Sequence, residues 1–325
     1  MRAILLLLLL LLFLFASAFL AAAEPPSARS ADAPPTRVIQ RVAKDTLTPC
    51  ELDWGDELDF KLRNGKVRKL QLVHTEARIV EGDKANVKKY SFTALFMVDL
   101  ELQTIERVVP AQESFYEPVV VRGLRIWLDA VSDIFVPDGG FLGEKDASLG
   151  IICQPKHKAR IAVNDEVDRI CPERLEWWYP ETGKRLDVRN CYRGEDVWMG
   201  PYEGRVAHGG LDLNMKAGTQ LRAPIDFDDQ FYFNSLAAGD NNNRWRGIRR
   251  WPDGSVWWLQ SHHLIKLLVP EHTPLRHGQT YADTAGVLVG AHEHTHFAFH
   301  ITEEGEDYWL DPWIIFWQTF RDQIR

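Results

Sequence analysis

From His292 to Phe299 the chain reads His-Glu-His-Thr-His-Phe-Ala-Phe, an alternation that a β-strand sorts into two faces. Residues i, i+2 and i+4 share a face in a strand. His292, His294 and His296 therefore point one way, and Phe297 and Phe299 the other, towards a core. Three imidazoles in a row have no packing rationale. They suit metal binding and proton transfer, because imidazole is both a good ligand and a group that titrates near neutrality. Nine of the eleven histidines lie between His208 and His300.

The segments around that strand also read as β-structure. Leu58, Phe60 and Leu62 alternate with charged residues, Asn64-Gly65 follows, and Val67, Leu70 and Leu72 resume the pattern. Asn-Gly between two such runs predicts a hairpin, since both turn residues tolerate positive φ. Leu124, Ile126 and Leu128 alternate again, and Leu175 to Tyr179 reads as an aromatic strand. Ile248 to Trp251, the turn Pro252-Asp253-Gly254 and Val256 to Leu259 form a further hairpin pattern that runs into His262-His263. We expect a mainly β protein. A β-sandwich-like N-terminal domain (45–195) would precede a second β domain (196–325), where glycines and histidines become frequent.

Upstream, Arg2, the apolar run Ile4 to Phe15 and the alanine-rich Ala16 to Ala23 have the form of a secretory signal peptide over 1–23. Left uncleaved, that segment would be the chain's one membrane contact. Residues 24–44 follow as a linker, rich in Pro, Ala and Ser as far as Thr36. The formal net charge of −8 disfavours a nucleic-acid partner. An exported chain with four cysteines suggests two disulfides. The turn residues Pro180 to Gly183 favour Cys171–Cys191, which leaves Cys50–Cys153. The twelve tryptophans are assigned mostly to the core.

The histidine-rich half has the donors of a catalytic zinc site, which takes three protein ligands and a water. His208 and Asp212 supply an imidazole and a carboxylate four residues apart, and Gly209-Gly210 permits tight approach. One histidine of the 292–296 row completes the set. The H-E-x-x-H helix motif of zincins is absent.

These motifs resemble the M23 (lysostaphin/LytM-type) zinc metallopeptidases. The first is similar in His208-x-x-x-Asp212, then Gly218-Thr219 and Ala223-Pro224. The second is Asp253-Gly254 followed by a hydrophobic strand into His263-Leu264. The third is His294-Thr295-His296-Phe297, with Asp311-Pro312 closing the pattern. The resemblance covers about residues 200–315. It implies an antiparallel peptidase sheet, one Zn2+ held by His208, Asp212 and His296, and catalytic assistance from His263 and His294. It also implies a peptidoglycan peptide substrate, an exported location in the periplasm, envelope or outside the cell, and a monomeric hydrolase. The alternative within this fold is a non-catalytic regulator or binding protein that activates other wall hydrolases. The chain departs from the pattern at Ile225 to Asp229, where the family commonly has Asp-Gly. His262 stands beside His263, and His292 and His300 are additional on the last strand.

Overall fold

The structure, a computed structural model, describes residues 35–84, 87–109, 117–132, 155–179, 201–202, 206–207, 210–233, 243–285, 287–289 and 292–324. The expected leader at 1–23, Cys153, Cys191 and His208 lie outside these residues. Among the described residues no helix is long and apolar enough to cross a membrane.

The first strands are β1 (Val38–Val42), β2 (Thr48–Leu52), β3 (Glu57–Lys61), β4 (Val67–Lys84), β5 (Val87–Val98), β6 (Glu101–Val109), β7 (Val119–Val121), β8 (Leu124–Val131) and β9 (Ala159–Asp165). They make two sheets, β1-β3-β4-β5-β6 and β2-β9-β8-β7. The expected hairpin joins β3 to β4, with Gly65 at φ 84° and Leu58 opposite Leu70. The alternation then does the packing. Leu58, Phe60, Leu70, Leu72, Phe92 and Phe96 from one sheet meet Leu124, Ile126, Leu128, Ile161 and Val163 from the other in a single buried cluster. Two sheets sharing one interior is the sandwich the pattern predicted. β1 falls inside the stretch read as linker. It docks in parallel on β3, and Arg37 beside it donates to Asp56 Oδ2 at 2.6 Å.

The remaining strands are β10 (Pro201–Tyr202), β11 (Val206–Ala207), β12 (Leu211–Asn214), β13 (Gln220–Arg222), β14 (Asp229–Phe233), β15 (Asn243–Arg250), β16 (Val256–Leu267), β17 (Thr280–Thr284), β18 (Val287–Val289), β19 (His292–Glu303) and β20 (Glu306–Leu310), followed by helix α1 (Trp313–Ile324). Nine of them form one sheet with the path β12-β19-β16-β15-β14, and β13, β17, β18 and β20 attach beside it. All its pairings are antiparallel. Trp257, Leu259, Phe297, Phe299 and Ile301 bury its inner face. Trp178 and Phe316 pack on Phe297, with ring centroids at 4.6 and 5.7 Å.

Two local expectations change. Leu175 to Tyr179 is irregular chain rather than a strand. Its backbone groups are taken elsewhere: Leu175 N donates to Asp322 Oδ2 at 2.9 Å, and Trp178 O accepts from Arg222 N at 2.8 Å. Helix α1 has no counterpart in the sequence reading. Asp311 caps it, accepting from Trp313 N at 2.8 Å, and Pro312 opens it, as helix starts favour.

The sandwich is fastened to the large sheet by polar contacts. Lys44 donates to Glu303 at 2.7 Å and Thr46 Oγ1 to Asp253 at 2.7 Å. Deeper, Arg107 of β6 pairs with Asp311, and Asp311 N donates to Asp129 Oδ1 at 2.8 Å. Asp129 also accepts from Arg160 Nε at 2.7 Å. All four of these side chains are buried.

The disulfide expectation is corrected. Cys50 and Cys171 are free thiols, and their expected partners Cys153 and Cys191 lie outside the described residues. Each thiol is buried and turns to a backbone carbonyl: Cys50 Sγ to Glu51 O at 3.9 Å, and Cys171 Sγ to Glu173 O at 3.5 Å. Burial pushes the Cys50 thiol up to about 12 and raises Cys171 as well. They behave as small buried hydrophobes.

Candidate active site

The site is built on β19. Its first half is flanked by β12 and β18, with Asp212 opposite His296, Asn214 opposite His294 and Val289 opposite His292. Its second half pairs with β16 and β20. The expected sorting holds where the side chains are described. Phe297, Phe299 and Ile301 are in the core, while His294 and His296 occupy the other face, 1% and 7% exposed.

Gly210 explains how the first motif reaches this row. A β-carbon at Gly210 would stand 2.2 Å from His296 Nε2 and 2.3 Å from Phe297 O. Only a residue without a side chain fits there. The Nε2 edge of His296 is therefore turned onto the Gly210 backbone, two residues before Asp212.

The middle histidines sit at a change of partner. β16 pairs with β19 through Ser261 and with β17 from Leu264 onwards. On its other edge, β15 places Arg244 opposite His262 and Asn243 opposite Leu264, so His263 is an inserted residue. Its φ of 62° marks the bulge. An inserted residue shifts the alternation by one and re-aims side chains. The core positions run Trp257, Leu259, then Leu264, and two adjacent histidines stay half-buried outside the core.

Four imidazoles converge as a result. His262 stacks on His296 with centroids at 4.6 Å and 22° between planes. His263 meets His294 edge-on at 4.7 Å and 71°, and lies 6.5 Å from His296. The sequence expectation for His263, His294 and His296 is thus a spatial cluster. Asp212 joins it by register, His208 lies outside the described residues, and nothing is described of the Asp212 or His292 side chains. His300 belongs to different company. It stacks on Trp309 at 5.2 Å and 7° and contacts Asp307 at 3.1 Å, and burial lowers its pKa.

Among the described residues no group of three or more His, Cys, Asp or Glu side chains is arranged to hold a metal ion. The donors nevertheless fit a zinc-like ion. Imidazole nitrogen and carboxylate oxygen are its ligands, and the Gly210 contact turns Nε2 of His296 onto the backbone two residues before Asp212. The sequence reading missed Arg244 and Arg246, which share the open face beside His262. Their signal was the alternation Arg244-Trp245-Arg246 within a strand pattern.

No family model and no curated protein matches the chain. Several solved structures are similar to it. Lysostaphin from Staphylococcus simulans matches at 20% identity and TM-score 0.31, over 38% of this chain and 47% of that one. The chain thus spans about half the length of that protein. A zinc-containing peptidase from Vibrio cholerae matches at 11% identity and TM-score 0.32, over 80% of this chain and 83% of that one. Csd3 from Helicobacter pylori matches at 9% identity and TM-score 0.27, over 79% and 73%. Identity and TM-score are low throughout, and the functional reading rests on this chain's own residues.

Proposed function

We propose that the chain is an exported zinc-dependent peptidase that hydrolyses peptide bonds in peptidoglycan, with the activity carried by residues 196–325. The observation that carries this reading is the convergence of His263, His294, His262 and His296, at centroid distances of 4.6 to 6.5 Å, beneath the Gly210 backbone.

His208, Asp212 and His296 would hold the ion, His296 through Nε2. Zinc, when bound, supplies a Lewis acid for the scissile carbonyl and a water with a pKa near 7. His263 and His294 then divide the proton work. One accepts the proton of the attacking water, and the other donates to the developing oxyanion or the leaving amine. Their 4.7 Å contact supports this pairing, and supports His263 over His262 as the middle histidine. His262, stacked flat on His296, holds that ring's orientation. The buried contacts between sandwich and sheet keep β19 in place while the open face works. The apolar run at residues 4–15 supports export to where peptidoglycan lies.

The test is metal analysis of the purified protein together with mass spectrometry of digested muropeptides. One zinc per chain and new peptide termini are expected. A zinc-loaded, folded protein that releases no fragments would leave a binding or regulatory role instead.

A further inference from the structure

The sheet face that holds the histidines also holds two arginines that have no acidic partner among the described residues. Arg244 and Arg246 flank Trp245 on β15, and Trp245 is fully buried, so both guanidiniums lie on the opposite face. Strand register sets their neighbours. Phe233, Arg244 and His262 form one transverse row, and Phe231, Arg246 and Gln260 form the next. Arg246 lies 5.5 Å over the Phe231 ring and 5.3 Å over the Trp258 ring, and donates to Gln260 Oε1 at 3.3 Å. Among the described residues neither arginine has an acidic partner. Arg249 on the same strand shows the usual arrangement, with Glu173 and with Asp228 Oδ1 at 3.0 Å.

Both arginines are half-buried. Burial lowers the pKa of Arg246, and the like charge of Arg244 lowers it further. Two like charges held on a partly dry face are unfavourable until an anion arrives. Stacking on rings holds the guanidinium plane, which suits bidentate capture of a carboxylate.

We propose that Arg244 and Arg246 form a subsite for a carboxylate of the peptide substrate, beside the histidine cluster. This rests on the hydrolase reading above. β15 and β19 are separated by β16 alone, so the subsite is about 10 Å from His296 at the usual strand spacing. An extended peptide covers that distance in about three residues. The acidic group is therefore recognised about three residues from the bond that is cut. Phe231 and Trp258 shield it from water and strengthen the pairing.

The test uses the full-length protein and two probes: a peptidoglycan-type tetrapeptide with free carboxylates, and the same peptide with every carboxylate converted to an amide. Binding is measured by calorimetry at fixed ionic strength, and cleavage is measured separately. Wild type is expected to bind the acid form about 10-fold or more tighter, the worth of a charge-assisted hydrogen bond. Arg244→Gln with Arg246→Gln removes that preference while melting temperature stays near wild type. Arg246→Lys keeps part of it, since charge remains and the fork is lost. A structural role alone would weaken both probes alike. Equal binding of the two peptides by wild type, or binding of neither, overturns the subsite. An acid preference without cleavage upholds the subsite and sinks the hydrolase reading alone.

Discussion

The His263 imidazole meets His294 edge-on, with ring centroids 4.7 Å apart, although the two residues lie on different strands. The contact exists because His263 is inserted at φ 62°, where β16 leaves β19 for β17. Under the proposed mechanism, removing either ring should stop proton transfer and leave the proposed metal site filled. His294→Ala and His263→Ala are each expected to lower kcat by about 100-fold or more at unchanged zinc content. His262→Ala should act more weakly, through the orientation of His296. Single-turnover peptide cleavage with metal analysis on the same samples checks this. Equal losses in all three variants would overturn the division of roles.

Gly210 offers a sharper test, because its substitution adds one carbon and no chemistry. The new β-carbon would fall 2.2 Å from His296 Nε2, and either the ring or the Gly210 backbone must move. Gly210→Ala is expected to weaken zinc affinity by at least 10-fold while the sandwich stays folded. Competition with a chromogenic chelator measures the affinity, and retained wild-type affinity would detach the first motif from His296.

The junction between sandwich and sheet depends on Arg107 and Asp311. Burial raises the Asp311 carboxyl to about 6 against the pull of Arg107, so the pair is held at a desolvation cost. Asp311→Ala deprives a buried guanidinium of its nearest carboxylate and uncaps α1. A loss of about 3–5 kcal/mol is expected, read from urea unfolding. Arg107→Met with Asp311→Leu should recover much of it, because the desolvation cost disappears with the charges.

What could be read in the sequence divides along the range of the interactions. Strands with strict alternation, such as Glu57–Lys61 and His292–Glu303, were legible because a period of two is a local property. So were the Asn64-Gly65 and Asp253-Gly254 turns. The bulge at His263 was not, since it arises from pairing between three strands. The Arg244 to His262 row was hidden for the same reason. Cys50 and Cys171 were read as disulfide partners from the cysteine count and the expected compartment, whereas both are free thiols in the structure. Helix α1 is short, and its Asp311-Pro312 start was read as a motif ending and not as a cap.

Those thiols give a direct measurement. Cys50 is 2% exposed and Cys171 0% exposed, and burial raises both pKa values. The thiolate is the reactive form. Neither should react with a thiol reagent at pH 8 in the native protein, and both should react at once in denaturant. Mass mapping after alkylation assigns them, and rapid native labelling of either residue would contradict its packing.

His300 should make the fold sensitive to acid. It lies between Trp309 and Trp258, at 5.2 and 6.0 Å, with Asp307 at 3.1 Å and Arg246 the other charge acting on it. Burial lowers its pKa, Arg246 adds to the shift, and Asp307 opposes it. The unfolded chain then binds a proton more readily than the folded one, so stability falls as pH drops through about 6.5 towards the folded value. Asp311 runs the other way: its raised pKa means the folded form holds a proton that the unfolded chain has lost, and its contribution falls as pH rises towards about 6. A single pH curve mixes the two. The difference in unfolding free energy between wild type and His300→Gln cancels Asp311 and isolates His300. That difference is expected to shift against wild type between pH 7 and pH 5, and a flat difference would mean that His300 is solvated enough to titrate normally.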